Sequence, residues 1–378
     1  MRVRILEVTQ VYYPYLEKGG PVATVRALAV HLAARGNQVT VLTVDLGPQD
    51  PAVAGPDNDR VEVVYLPAWL RYRTATLSPG VVRFCSRRLA EFDVVHIHGL
   101  YDLLGVVVAR FCRRRGIPYV VEPLGAFQPR VRSVRKKRLY HWAAGRRLLQ
   151  GAARIVATSE HERMELLGAG IPADKLVLRR NGLDLSEFED LPERGAFRDR
   201  LDIGDGPLVL FLGRISFVKG LDLLVEAFAG VGESASLAIV GPDDRDGCLE
   251  AIRRGAVERV TLPGPLYGKE KLEALVDADL LVLPSRYESF GNAAAEAIAC
   301  GTPVLVTDQC GIAPLVKDRV GLVVPCTVEG IRHGLTRLLH VDSLRQVLRA
   351  RCPGVARELS WDEPVATMED IYKTVCAH

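Results

Sequence analysis

The segment Pro284-Ser285-Arg286-Tyr287-Glu288-Ser289-Phe290-Gly291-Asn292 joins an apolar run, Leu280–Leu283, to a stretch of small, helix-favouring residues from Asn292 to Cys300. Where a strand exits into a helix, the first helical amides lack intrahelical partners. The N–H groups of Ser289, Phe290, Gly291 and Asn292 can therefore receive an anion. Gly291 lets a ligand approach the backbone closely. Glu288 stands just before this site, and Glu296 lies about one turn into the helix, able to face the same cleft. Taken alone, the pattern reads equally as a capped helix with two solvated acids.

A second constellation strengthens the functional reading. Phe211-Leu212-Gly213-Arg214-Ile215-Ser216-Phe217-Val218-Lys219-Gly220 places two cations, Arg214 and Lys219, at the C-terminal end of a strand, with a helix starting at Gly220. Cations beside a helix N-terminus suit a diphosphate. A third is the loop Gln10–Gly20 ahead of a helix with Pro21 at its first position. Gly19 and Gly20 can let a ligand reach that helix end, or serve as ordinary turn glycines. The loop lacks the G-x-G-x-x-G spacing of a dinucleotide-binding dehydrogenase. In Val95-His96-Ile97-His98-Gly99, His96 reads as a core residue, and His98, at the strand exit, as either structural or cleft-facing.

These residues need a scaffold. The chain has 378 residues, long for one core, so two domains are expected. Short apolar runs at Val3–Val8, Val39–Val44, Val61–Leu66, Val94–Ile97, Tyr119–Val121 and Ile155–Ala157 alternate with helical patterns such as Pro21–Arg35 and Leu103–Arg115. The pattern restarts with Leu208–Leu212, Leu237–Val240, Val260–Leu262, Leu280–Leu283 and Val304–Val306. Runs of this length separated by helices indicate parallel strands covered on both faces, hence two doubly wound α/β domains. Asn181-Gly182-Leu183-Asp184 is a turn signal, and the charged, Gly- and Pro-containing stretch Glu187–Gly206 reads as linker. The expected division is 1–185, 186–360 and a final helix over 361–378. Twin domains of this class are expected to hold their ligand between them, at the C-terminal strand ends.

In order and spacing, Gly213-Arg214…Lys219-Gly220, Glu288-Ser289-Phe290-Gly291 with Glu296, and Gly301-Thr302-Pro303-Val304 resemble the retaining glycosyltransferases of family 4, also called group 1. Asn181-Gly182-Leu183-Asp184 and the Gly19-Gly20 loop agree, so the resemblance covers most of the chain. It implies the GT-B fold: two Rossmann-like domains facing across a cleft, with the C-terminal helix crossing back to the first. It further implies that Arg214 and Lys219 bind the diphosphate of a UDP- or GDP-sugar, that Glu288 holds sugar hydroxyls and Glu296 the ribose. The amides of Ser289, Phe290, Gly291 and Asn292 would complete the phosphate cradle, and Gly19 and Gly20 would line the cleft. The implied reaction moves a hexose, with retention by same-face displacement, to a glycan or lipid-linked acceptor in cell-surface polysaccharide or glycolipid synthesis. Many relatives carry a histidine where this chain has Leu124, which makes His98 the candidate in its place. Asp244-Arg245-Asp246 looks like the D-x-D metal motif of the other main glycosyltransferase fold. With Arg214 and Lys219 supplying positive charge, however, no metal or other cofactor is expected. The competing readings are a sugar-nucleotide epimerase of the same fold, a transferase to a small soluble acceptor, a dehydrogenase, and a scaffold with a dead site.

The net charge of +3 divides into about +12 over residues 1–185 and about −9 over the remainder, so the first half is expected to meet something anionic. The stretch Arg130–Arg147 carries Arg130, Arg132, Arg135, Lys136, Lys137, Arg138, Arg146 and Arg147 around Leu139, Tyr140, Trp142, Leu148 and Leu149. It reads as a basic amphipathic helix suited to an anionic membrane surface, or as a solvated face. No nucleic-acid motif accompanies it. Eight scattered cysteines without C-x-x-C spacing, no apolar run of spanning length and no leader-like N-terminus lead to the expectation of a cytoplasmic enzyme, which the basic stretch can bring to the membrane's inner face as a peripheral protein.

Overall fold

The computed structural model describes residues 2–15, 20–47, 60–72, 75–125, 145–232, 235–255 and 259–377. The chain divides into two compact units, Met1–Gly182 with Trp361–His378, and Leu183–Ser360.

Among the described residues, the first unit is built on a sheet of seven strands: β1 (Arg4–Thr9), β2 (Gln38–Asp45), β3 (Val61–Pro67), β6 (Val94–His98), β7 (Tyr119–Glu122), β8 (Arg154–Ala157) and β9 (Leu176–Leu178). They pair in the order β3-β2-β1-β6-β7-β8-β9, every pair parallel. A short antiparallel hairpin, β4 (Leu70–Tyr72) with β5 (Ala75–Leu77), follows β3. Side chains alternate between the faces of a strand, and β1 shows the consequence. Leu6 and Val8 join a core with Leu104 and Val108 of the helix Leu103–Arg115. Ile5 joins the opposite core, with Val25 and Leu28 of the helix Gly20–Ala34 and with Val365, Met368 and Tyr372 of the last helix, Asp362–Cys376. Glu7 lies on the same face as Ile5 and is fully buried.

Among the described residues, the second unit has six strands: β10 (Leu208–Leu212), β11 (Ser236–Val240), β12 (Val260–Gly264), β13 (Leu280–Leu283), β14 (Val304–Thr307) and β15 (Gly321–Val324). Their order is β12-β11-β10-β13-β14-β15, again all parallel. The strand order reverses between β1 and β6 in one unit and between β10 and β13 in the other. These are the switch points at which doubly wound sheets hold ligands, beyond the C-terminal strand ends.

The stretch Glu187–Gly206 is not a linker. It packs into the second unit through a short helix, Ala196–Arg200, whose Phe197 is completely buried. The Asp277 carboxylate accepts the N–H groups of Gly195, Phe197 and Arg198 at 2.5, 2.7 and 3.0 Å. Arg194 and Arg198 both pair with Asp279. Arg194 and Arg198, two of the charges that suggest a solvated connector, are consumed in these contacts, while Glu187, Glu189, Asp190 and Glu193 stay exposed.

Candidate active site

In the second unit, the segments after β10 and β13 lie against each other at the switch point. Lys219 ends a single 3-10 turn, Phe217–Lys219, and its Nζ forms an ion pair with the Glu288 carboxylate; both side chains are mostly buried. The Arg286 N–H donates to the Val218 carbonyl at 2.9 Å. The Arg286 guanidinium forks onto Asp222 at 2.6 and 2.7 Å and reaches the Phe217 carbonyl at 2.7 Å. Glu288 is fixed through its own backbone, its N–H donating to Gln309 O at 3.1 Å and its carbonyl accepting from Gly311 at 2.9 Å. The helix Asn292–Ala299 then begins at Gly291, which has no side chain with which to cap it. Phe290 is buried in the core, so any part it plays in binding comes from its backbone. Ser289 and Asn292 are partly exposed. Glu296 is also partly exposed, and its Oε1 lies 3.1 Å from Lys271 Nζ.

Arg214 is half exposed and pairs with Asp244 at 3.1 Å. Asp246 accepts the N–H groups of Phe217 and Cys248 at 2.9 and 3.1 Å. The Asp244-Arg245-Asp246 acids thus tie the segment after β11 to the loop carrying Arg214 and Lys219. Carboxylates that accept backbone N–H groups and pair with an arginine are engaged in holding a loop.

In the first unit, Gly20 opens the first helix, and Gly19 lies outside the described residues. His98 is not at an open strand exit: it is 2% exposed, and its Nε2 is 2.5 Å from Glu7 Oε2. The reason is the strand alternation, which turns Glu7, His96, His98 and Glu122 to one buried face. His96 Nδ1 meets the Tyr372 hydroxyl at 2.8 Å, and that hydroxyl donates to Glu7 Oε1 at 3.2 Å. Across the two rings, Glu122 Oε2 lies 3.5 Å from His96 Nε2 and 3.7 Å from His98 Nδ1. The buried Arg179 pairs with the other oxygen of Glu122. Burial pushes the Glu7 carboxyl up, but the charges and hydrogen bonds of His96 and His98 outweigh it and hold it well below the usual carboxylate range. Burial, with the charge of His98, pushes His96 down against the pull of Glu7 and Glu122. Glu7, His96 and His98 bring ligand-type atoms within 4.8 Å of one another, the spacing a metal ion would need. Leu124 has φ 56°, and the following Gly125 N–H donates to Glu162 at 2.7 Å.

Of the basic stretch, Arg130, Arg132, Arg135, Lys136, Lys137 and Arg138 lie outside the described residues. Arg146 and Arg147 are exposed on the helix Arg146–Gly151, but Leu148 and Leu149 belong to the core, so they are not part of an exposed apolar face. Among the described residues, no helix is long and apolar enough to cross a membrane.

The sequence model for glycosyl transferases group 1 matches residues 193–352, and that for the glycosyl transferase 4-like domain matches residues 19–182. A D-inositol 3-phosphate glycosyltransferase of Actinosynnema mirum is 30% identical, the alignment covering 94% of this chain and 92% of that protein. The chain belongs to the group 1, family 4 glycosyltransferases. Another relative of this glycosyltransferase, a GDP-mannose-dependent alpha-mannosyltransferase of Mycobacterium tuberculosis, is 30% identical over 85% of this chain and 84% of its own length. Among solved structures, sucrose-phosphate synthase of Thermosynechococcus elongatus superposes over the whole of both chains with a TM-score of 0.81 at 24% identity. The fold is GT-B. The sequence missed Lys271, which lies outside the motif segments, and named Asp246 and Arg286 without their supporting roles, Asp246 on the Phe217 and Cys248 amides and Arg286 on Asp222 and the Phe217 carbonyl. Their signal was charge at the ends of apolar strands and the starts of helices.

Proposed function

We propose that this glycosyltransferase moves a hexose from a UDP- or GDP-sugar, with retention at the anomeric carbon, to a glycan or lipid-linked acceptor. The observation that carries the reading is the ion pair of Lys219 with Glu288, three residues ahead of the glycine that opens the helix Asn292–Ala299. As the glycosyl–phosphate bond weakens, negative charge builds on the leaving diphosphate. Arg214, Lys219 and the amides of Ser289 to Asn292 offset it, a term whose loss costs ~10²–10³ in rate per donor. Each cation pairs with a carboxylate, Asp244 or Glu288; a diphosphate competes for the cations, and Glu288 is left to meet sugar hydroxyls. Solved neighbours give the donor class further support: the Anabaena protein HepE, 19% identical with a TM-score of 0.78, is described in complex with UDP and glucose. A membrane-borne acceptor suits the basic stretch 130–147.

The test is a donor screen that follows release of UDP, GDP or ADP together with transfer of labelled sugar to lipid-linked and soluble acceptors. One donor class should give both signals. Turnover of a donor without transfer to any acceptor would replace this reading with that of a non-transferring enzyme.

A further inference from the structure

Lys271 belongs to none of the motif segments. It projects from the helix Gly268–Asp277 that follows β12, and its Nζ lies 3.1 Å from Glu296 Oε1, with side-chain exposures of 23% and 20%. The arrangement parallels that of Lys219 on Glu288. A glutamate side chain has several rotatable bonds, and fixing it for a ligand costs rotamer freedom. A cation seated on one oxygen takes up part of that cost before the ligand arrives and leaves the other oxygen to accept hydroxyl protons. The neighbouring Cys300 thiol is pushed up to about 12, mainly by burial and further by Glu296, with Lys271 opposing. It stays neutral beside the pair and brings no competing charge.

We propose that Lys271 is a positioning residue that holds the Glu296 carboxylate ready for the ribose hydroxyls of the donor nucleotide. The inference rests on the donor-site reading above. It differs from general attraction of a diphosphate by a nearby cation, because it confines the effect of Lys271 to nucleotides with an intact ribose diol.

The experiment measures binding of UDP, GDP and ADP, each beside its 2′-deoxy counterpart, to the full-length wild type and to Lys271→Met, Lys271→Arg and Glu296→Gln. Lys271→Met should weaken the preferred ribonucleotide roughly five-fold, the scale of a partly exposed ion pair, and the 2′-deoxy form less than about two-fold. KM for the donor should rise by the same factor with kcat unchanged, and Lys271→Arg should restore both. Equal weakening of the ribo and deoxy forms, or of neither, overturns the proposal. If Glu296→Gln leaves the wild-type ribose preference intact, the donor-site role of Glu296 falls and this inference with it. If Glu296→Gln abolishes the preference and Lys271→Met does not, the inference alone falls.

Discussion

Gly220 and Pro284 meet backbone to backbone: a Cβ built on Gly220 would approach the Pro284 carbonyl oxygen to 2.0 Å. Gly220 also has φ 67°. This contact brings the Lys219 turn against the segment that carries Glu288. Gly220→Ala should therefore strain the junction by ~1–3 kcal/mol and raise the donor KM more than it lowers kcat. Denaturation together with steady-state kinetics checks it; unchanged values for both would show that the two segments separate without cost.

Arg214→Ala and Lys219→Ala should each lower turnover by ~10²-fold or more, with cooperative unfolding preserved, because each removes charge opposed to the leaving diphosphate. Wild-type kinetics in both variants would remove these residues from the site.

Activity should survive EDTA. Asp244 is engaged by Arg214, and Asp246 by two backbone N–H groups. Asp244→Asn should keep activity, whereas Asp246→Asn should weaken the loop by ~1–3 kcal/mol through unsatisfied donors. Complete loss on chelation, restored by Mg²⁺ or Mn²⁺, would contradict the first expectation.

Asp102 caps the helix Leu103–Arg115, accepting the Gly105 N–H at 2.7 Å. Burial pushes its carboxyl up to about 6, against the Gly105 and Leu104 amides that favour the charged form. The folded chain therefore holds this proton more tightly than the unfolded one. The stability it contributes is full below the unfolded value of about 3.9 and is lost as pH rises through about 6, by ~3 kcal/mol at most. Asp102→Asn keeps a capping side chain and should flatten this dependence. Urea midpoints at pH 4.5 and 8 for both proteins supply the comparison; parallel profiles would mean that the carboxyl titrates normally.

Neutralising Arg135, Lys136, Lys137 and Arg138 should reduce sedimentation with anionic liposomes at low salt, where screening is weak, and leave donor hydrolysis in solution unchanged. Equal sedimentation of the two proteins would leave these cations as a solvated face.

The scaffold was legible where burial on both faces writes itself as an uninterrupted apolar run, as in Leu208–Leu212 and Leu280–Leu283. β9 escapes the reading although Leu176-Val177-Leu178 is apolar throughout, because the run is three residues long, is only half-buried and stands just ahead of the Asn181–Asp184 turn signal; β15 and the hairpin after β3 escape it too. The buried charges were harder still. Glu7 interrupts an apolar strand, which was itself the signal, but its partner Tyr372 is 365 positions away. The same distance effect hides the burial of His98: the local sequence shows a strand exit and not Glu7, 91 positions away, whose carboxylate meets its ring. At the candidate site, the motif residues Lys219 and Glu288 can be named from spacing, whereas Lys271 cannot, since only the fold brings the helix after β12 to Glu296.

Gly182 is packed so tightly on Trp361 that a Cβ would fall 2.5 Å from the indole ring, and the Leu183 N–H donates to Leu359 O at 2.6 Å. The polypeptide leaves the first unit and re-enters it through a single gateway. Topologically, residues 183–360 are an inserted domain whose own ends are a hydrogen bond apart, and the break they leave in the host is equally narrow. A splice of a few residues between Gly182 and Trp361 should close the first unit as one continuous chain, and the excised domain should tolerate new termini at any exposed turn.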